Sequence, residues 1–153
     1  MVLKHKLVPL AALILAGALS APASAQFAKA KDAQEYREAA MTLMGSHFGR
    51  MLPVVKGQIP YDKEKIKENV AILNVLATLP WAGFAPGSEG GKAKDDVWLD
   101  PDGFKQAQNK FHASLKKLTT AADAGDYDAF RVAFGDVAKS CKSCHDSYRQ
   151  KKK

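Results

Sequence analysis

The sequence predicts an all-α fold, an antiparallel up-and-down four-helix bundle. Four stretches of the chain repeat their apolar residues at a spacing of about 3.6, which is the period of an amphipathic helix. No stretch alternates apolar and polar residues as a half-buried strand does, and the chain has no internal repeat. Two of the connections between the stretches are short and one is long, and short connections place successive helices side by side in opposite directions.

The first two predicted helices occupy the first half of the chain. The first helix runs from about Asp32 to Val55, and Pro53 is expected to kink its last turn. Its apolar face is formed by Tyr36, Ala40, Leu43, Met44, His47, Phe48 and Met51. Turn-forming residues occupy positions 57–60, and the second helix begins after Asp62, a residue type suited to the N-cap. The apolar stripe of the second helix is Ile66, Val70, Leu73, Leu76 and Leu79.

The last two predicted helices follow a long connection, residues 80–100, that is rich in glycine and proline. Its apolar anchors are Trp81, Phe84 and Trp98. Asp100 and Pro101 provide an N-cap and a proline at the first helical position of the third helix, which ends near Gly125. Its apolar residues are Phe104, Phe111, Leu115 and Leu118. Asp126 caps the fourth helix, whose buried side is Tyr127, Phe130, Phe134, Val137, Cys141, Cys144, His145 and Tyr148.

The N-terminal residues 1–25 have the pattern of a cleaved secretory signal peptide. Lys4 and Lys6 precede an apolar stretch from Leu7 to Leu19, and Ala23-Ser24-Ala25 is an A-x-A cleavage site. The apolar stretch is shorter than the roughly 20 residues that a membrane-spanning helix needs. We therefore predict export without membrane insertion.

The remaining residues, 26–153, have the length of one domain. The formal net charge of +7 comes partly from the tail Lys151-Lys152-Lys153, which is interpreted as a solvated end. The sequence contains neither a phosphate-binding loop nor a nucleic-acid-binding module. We therefore predict no nucleic-acid partner.

The two cysteines of the chain occur together, in Cys141-Lys142-Ser143-Cys144-His145. This C-x-x-C-H pattern is typical of covalent haem attachment. Thiols three residues apart on a helix share a face, so each can add to a vinyl group of one porphyrin, and His145 follows where its nitrogen can ligate the iron. A zinc site would need about four protein ligands, and no second cysteine or histidine motif supplies the rest. A thioredoxin-like redox pair would lie beside a βαβ pattern, which this sequence does not have. A disulfide between residues three apart would close too small a loop to stabilise the fold much. The motif predicts one haem c.

Six further stretches, together with the export signal, the four helices and the C-terminal motif, make the whole of residues 26–153 resemble cytochrome c′. The stretches are Tyr36-Arg37, Thr42-Leu43-Met44, Ser46-His47-Phe48-Gly49-Arg50-Met51, Pro53-Val54-Val55-Lys56-Gly57, Leu79-Pro80-Trp81 and Ala133-Phe134-Gly135-Asp136-Val137. Their order and spacing are similar to those of the family branch found in denitrifying proteobacteria.

The resemblance implies a periplasmic, non-enzymatic protein with a pentacoordinate haem that binds nitric oxide and carbon monoxide and discriminates against dioxygen. The implied roles are nitric oxide buffering or electron transfer with a redox partner protein. By the same resemblance, Arg37 lies near the haem propionates and Arg149 on the proximal side, one turn past His145. Met41 covers the vacant distal face, with Phe84 as a further apolar group of that wall.

Two other functions remain open at this point. Met41 or Met44 as a sixth ligand would make the protein a low-spin electron-transfer cytochrome, although methionine more commonly fills a core. An enzyme that reduces nitric oxide or peroxide is a second alternative, but no distal acid–base pair is evident in the sequence.

The resemblance also implies a homodimer formed through the first two helices. Met51 and Ile59 are candidates for its apolar interface.

Overall fold

The computed structural model describes residues 26–151, which form a bundle of four long helices with shorter helical segments between them. The helices are α1 Ala30–Gly49, α2 Leu52–Val55, α3 Lys63–Leu76, α4 Asp96–Leu99, α5 Pro101–Ala124 and α6 Tyr127–Tyr148, with a 3₁₀ turn at Pro80–Phe84. Within this part of the chain, the only strand-like feature is one isolated antiparallel bridge between Ala93 and Arg149. The predicted all-α four-helix bundle is confirmed, whereas the predicted signal peptide lies outside the described residues.

The first predicted helix is shorter than expected because Pro53 ends it rather than kinking it. Proline has no backbone N–H, and its ring clashes with the carbonyl four residues earlier, which here belongs to Gly49. α1 accordingly ends at Gly49, and the chain begins the separate helix α2 at Leu52. The turn between the two helices directs Met51 into the core, where it is 1% exposed. Met51 therefore cannot contribute to a dimer surface, and that expectation is wrong, whereas Ile59 is 49% exposed.

The predicted caps of α3, α5 and α6 are confirmed. Each capping aspartate accepts a hydrogen bond from the backbone amide three residues on, at 3.2 Å for Asp62–Lys65, 3.0 Å for Asp100–Gly103 and 2.9 Å for Asp126–Ala129. Gly125 ends α5 with φ of 75°, a left-handed conformation that glycine adopts without a steric penalty. Because only Gly125 and Asp126 separate α5 from α6, the two helices reverse direction sharply and pack along each other.

Three of the interfaces between neighbouring long helices combine apolar packing with a polar pair. α1 packs on α3, α3 on α5, and α5 on α6, around a core that includes the fully buried Leu73, Leu115, Leu118 and Phe130. The three polar pairs, in the same order, are His47–Asn69 at 2.7 Å, Asn74–Thr119 at 2.8 Å and Ser114–Ser140 at 3.1 Å. Each pair satisfies polar groups in a partly buried place and fixes the register of two helices.

The fourth side of the bundle, between α1 and α6, is different. Phe48 of α1 and Phe134 of α6 stack with ring centroids 4.0 Å apart and planes inclined by 4°. Toward the C-terminal end of α6, the two helices enclose a cavity instead of packing together. Across residues 26–151, no helix combines the length and the apolar character that crossing a membrane requires.

Candidate functional site

The C-x-x-C-H motif lies in the last two turns of α6, on the face turned toward α1. Cys141, Cys144 and His145 all line a cavity of about 180 Å³ between these helices. Cys144 and His145 also line an adjoining cavity of about 410 Å³. The structure therefore brings together the three motif residues at one continuous space, as the sequence predicts.

The smaller cavity has an apolar wall. α1 contributes Met41, Met44, Gly45 and Phe48, and the rest of the wall apart from the motif is Leu73, Trp81, Ala107, Phe111, Val137 and Ser140. Two side chains of this wall carry hydrogen-bond donors, and both donate within the fold. The Ser140 hydroxyl donates to the Val137 carbonyl at 2.8 Å, and the Trp81 indole N–H donates to the Ala77 carbonyl at 2.7 Å. Apart from the imidazole of His145, a molecule in this space meets hydrocarbon and sulfur rather than free polar groups.

The larger cavity has cationic side chains at its wall. These are Arg37, Lys92 and Arg149, and the same wall includes the carboxylate of Glu38, which forms an ion pair with Lys92. Residues 92–94 run antiparallel to residues 148–150, with the Gln150 amide donating to the Lys92 carbonyl at 2.9 Å and the Lys94 amide to the Tyr148 carbonyl at 3.0 Å. This pairing brings Lys92 and Arg149 to the same rim. The combined space suits a ligand with an apolar body and anionic substituents at one edge.

Burial sets the protonation of the motif. It lowers the pKa of His145, and the neighbouring Arg149 lowers it further, against a smaller opposing effect of Asp146. The Arg149 Nη1 lies 3.5 Å from His145 Nδ1. Because the imidazole is neutral near pH 7, one ring nitrogen keeps a lone pair for a metal. Burial also raises the pKa of the Cys141 thiol, and burial together with Cys141 raises that of Cys144 to about 11.

The geometry fits covalently bound haem rather than a metal ion held by side chains alone. Among residues 26–151, no group of three or more His, Cys, Asp or Glu side chains converges as a metal site, so the two thiols and the imidazole do not surround one point. They are spread along one wall of an apolar space whose other end is cationic. A flat macrocycle with two carboxylates, attached at both thiols, matches this distribution.

Arg37 fastens the connection after α3 to α1. Its side chain is 3% exposed, so it is not part of a solvated helix face. The guanidinium donates to the carbonyls of Gly83 at 2.5 Å, Ser88 at 2.7 Å and Gly90 at 2.6 Å, and lies over the rings of Phe84 and Trp98. Burial lowers its pKa, although Glu38 and Glu89 act in the opposite direction. Its predicted place beside haem propionates stays a prediction, whereas its position at the larger cavity is observed.

The 3₁₀ turn approaches α1 so closely that it needs glycine. A Cβ atom on Gly83 would lie 2.7 Å from the Ala33 carbonyl oxygen and 2.8 Å from Arg37 Cβ. This close contact brings the Gly83 carbonyl within reach of the guanidinium.

The other predicted site residues divide between the two cavities. Met41 lines both cavities and Met44 the smaller one, whereas Phe84 lines the larger one, beneath the Arg37 guanidinium. Phe84 therefore shares a wall with Met41 but not with Met44.

The residues of the cavity walls that sequence reasoning missed include Gly45, Trp81 and Lys92. The sequence predicts Trp81 only as a loop anchor, yet it lines both cavities. Its place in the Leu79-Pro80-Trp81 stretch was the one available signal. For Gly45 and Lys92, no local pattern distinguishes them from other helix and loop residues.

Comparisons with known proteins agree on one family. The profile of the family described as Cytochrome C′ matches residues 32–149. Cytochrome c′ of Alcaligenes xylosoxydans xylosoxydans is 60% identical over 127 residues, which cover 83% of this chain and 100% of the relative. Cytochrome c′ of Rubrivivax gelatinosus is 41% identical over 129 residues, covering 82% of this chain and 100% of the relative.

Solved structures give the same result. A nitric oxide complex of a single-residue variant of cytochrome c prime from Alcaligenes xylosoxidans superposes with a TM-score of 0.82 and 59% identity, over 83% of this chain and 100% of that chain. A ferrous variant of the same protein with bound nitric oxide gives a TM-score of 0.82 and 58% identity, with the same coverage.

The Arg37 contacts yield a stability prediction. Arg37→Met keeps much of the side-chain length but leaves buried loop carbonyls without donors, so we expect a loss of about 2–4 kcal/mol in the free energy of unfolding. Amide hydrogen exchange across residues 83–91 should accelerate. Arg50→Met, at an exposed position after α1, is the matched control and should change neither quantity. Equal effects of the two variants would show that Arg37 does not hold the loop.

Proposed function

Because this chain belongs to the cytochrome c′ family, we propose that it is a periplasmic haem protein that binds nitric oxide and carbon monoxide at an iron atom ligated by His145 alone. Haem c is the cofactor of the family, and when bound here it would supply an iron atom able to take a diatomic ligand. Cys141 and Cys144 would form the thioethers. The neutral imidazole of His145, favoured by burial and by Arg149, would be the protein ligand of the iron.

The observation that carries the ligand preference is the apolar wall of the smaller cavity. Dioxygen binding depends on polarity and on hydrogen-bond donors in the pocket, whereas nitric oxide and carbon monoxide need much less of this support. The Trp81 and Ser140 donors in that wall are already engaged with backbone carbonyls. The chain therefore offers a space that favours nitric oxide and carbon monoxide over dioxygen.

Met41 is proposed to control access to the distal face. It is partly buried and lines both cavities, so it lies between the cationic end and the apolar end of the site. A flexible thioether side chain can move aside, but leaving its preferred rotamer costs energy. Ligand entry would be slowed by that movement.

The cations of the larger cavity are proposed to hold the haem carboxylates. Lys92 and Arg149 share one rim, and Arg37 lies in the same wall with a guanidinium already fixed by the loop. Charge-assisted hydrogen bonds from such groups are strong where water is partly excluded. This arrangement would orient the macrocycle with its apolar body between α1 and α6.

Nitric oxide complexes of cytochrome c prime from Alcaligenes xylosoxidans support the same ligand for this chain, given 59% identity to one of them. We propose nitric oxide buffering or electron transfer as the role, without catalysis. The wall of the smaller cavity contains no carboxylate side chain that would act with a base in acid–base chemistry. The predicted export signal supports a periplasmic location, where a redox partner protein would exchange electrons with the haem.

A second candidate function is that of a low-spin electron-transfer cytochrome. The observation in its favour is that the thioether side chains of Met41 and Met44 line the same cavity as His145. Histidine and methionine ligation raises the reduction potential of haem iron and suits electron transfer.

The test of the proposed function is the optical and EPR spectrum of the purified ferric and ferrous protein, before and after nitric oxide is added. We expect a high-spin, five-coordinate spectrum that changes on addition of nitric oxide or carbon monoxide. A low-spin spectrum with a methionine–iron charge-transfer band, unchanged by carbon monoxide, would instead establish the electron-transfer alternative.

The gating role of Met41 yields a kinetic prediction. An off-rotamer side chain costs about 0.5–1.5 kcal/mol, so removing the obstruction in Met41→Ala should speed carbon monoxide association by about two- to twelve-fold. Stopped-flow mixing of the ferrous protein with carbon monoxide measures the rate. Val132→Ala, an exposed position on α6 that lines neither cavity, is the control and should leave the rate unchanged. An unchanged rate in Met41→Ala would exclude Met41 as the gate.

We also propose that the protein is a homodimer joined through α1 and α3. Both helices expose apolar side chains, namely Leu43, Ile72 and Val75 with 49%, 45% and 64% of their surface accessible. Sedimentation velocity at high micromolar concentration should show a dimer that dissociates in Val75→Glu, because a charge would be buried at the interface. Val132→Glu, on the outer face of α6, is the control. A monomer at all concentrations would contradict the proposal.

A further inference from the structure

His145 lies in the last turn of α6, three residues before the helix ends at Tyr148. The end of a helix leaves its final carbonyls without partners inside the helix, and it opens more readily than the interior. Among these carbonyls, that of His145 accepts a hydrogen bond from the Arg149 amide at 3.1 Å. The residue proposed to ligate iron therefore lies where a helix is least rigid, unless another part of the fold holds the turn in place.

Lys94, in the connection before α4, supplies two of the missing donors. Its backbone amide donates to the Tyr148 carbonyl at 3.0 Å, and its side-chain ammonium donates to the Asp146 carbonyl at 2.9 Å. A cation is also favourable at this position, because the C-terminal end of a helix carries the negative pole of its dipole. One residue of the connection thus binds the α6 backbone at two points directly after His145.

The last turn of α6 has other contacts, but they act on a side chain. The Tyr148 hydroxyl donates to Asp100 Oδ2 at 3.1 Å, and the Tyr148 ring packs edge-on against Phe104 with centroids 5.2 Å apart. Among residues 26–151, Lys94 is the one residue from a separate segment that donates to the carbonyls of this turn. The backbone that carries His145 is therefore restrained from outside mainly by Lys94.

We propose that Lys94 is a positioning residue for His145: by binding the α6 backbone after it, Lys94 holds the imidazole in the orientation in which it ligates the iron. This inference rests on the proposed function and adds the residue that fixes the iron ligand. Groups that do not touch a metal commonly orient the side chains that do. Neither Lys94 nor Asp146 lines either cavity, so the restraint acts through the backbone and not by contact with the cofactor.

The experiment compares Lys94→Met, Lys94→Arg and Lys139→Met in the haem-loaded protein. Lys94→Met keeps the stem of the side chain and the backbone amide but removes the ammonium donor, whereas Lys94→Arg retains a cationic donor. Lys139 is the matched control, because it is exposed on α6, lies outside both cavity walls and loses the same charge on change to methionine. Thermal unfolding and the haem-to-protein ratio verify that the three variants are intact.

Two measurements follow the last turn of α6 and the imidazole. Amide hydrogen exchange across residues 145–150 should accelerate about ten-fold in Lys94→Met, because a hydrogen bond from a charged group is lost. In the ferrous protein, the iron–histidine stretching band of the resonance Raman spectrum should shift and broaden, because the ring is no longer held in one orientation. Lys94→Arg should return both quantities toward wild type, and Lys139→Met should leave them unchanged.

The outcomes separate this inference from the proposed function. Unchanged exchange in Lys94→Met, or faster exchange with an unchanged iron–histidine band, would overturn the positioning role. Equal effects in Lys139→Met would also overturn it, because the loss of charge alone would then be the cause. A six-coordinate iron in the wild-type protein would overturn the proposed function instead. The reduction potential, which depends on the same axial ligand, would then replace the band in the comparison of the variants.

Discussion

The separation of α1 from α6 is the constraint around which this bundle is organised. Protein interiors normally pack densely, so two helices with apolar faces would close on each other unless the rest of the fold held them apart. The other three interfaces supply that restraint through polar pairs such as His47–Asn69 and Ser114–Ser140. The stack of Phe48 on Phe134 then sets the depth at which the opening begins. The cavity between α1 and α6 can persist because the three other helix interfaces and the Phe48–Phe134 stack hold these two helices apart.

The connection between α3 and α5 completes the site by folding onto α1. Arg37 satisfies carbonyls of this connection, which otherwise would be buried without donors, and the aromatic rings of Phe84 and Trp98 lie against its guanidinium. The same segment carries Trp81 into the cavity wall and pairs Lys92 with the chain after α6. A long connection thereby becomes part of the binding site, although it contains little regular helix.

The chemistry of the site follows from the unequal character of its two ends. The apolar end holds sulfur and hydrocarbon groups near His145, and the cationic end offers Lys92 and Arg149 to anionic substituents. Burial keeps the imidazole neutral, which a metal ligand requires, while Arg149 adds positive charge next to Nδ1. One cofactor with an apolar body and two carboxylates is complementary to both ends. In the proposed function, ligand choice would depend on the apolar end, and cofactor orientation on the cationic end.

The sequence by itself determined the four long helices apart from the end of the first, three of their caps and the attachment motif, because these depend on residues a few positions apart. Asp62, Asp100 and Asp126 cap where local chemistry predicts, and Cys141, Cys144 and His145 share a face because of helical periodicity. Only the tertiary structure decided that Met51 is buried, that Arg37 binds loop carbonyls, and that Gly45 and Trp81 border the cavities. Those outcomes depend on which distant segments meet in space, and the spacing of residues along one helix carries no information about its neighbours.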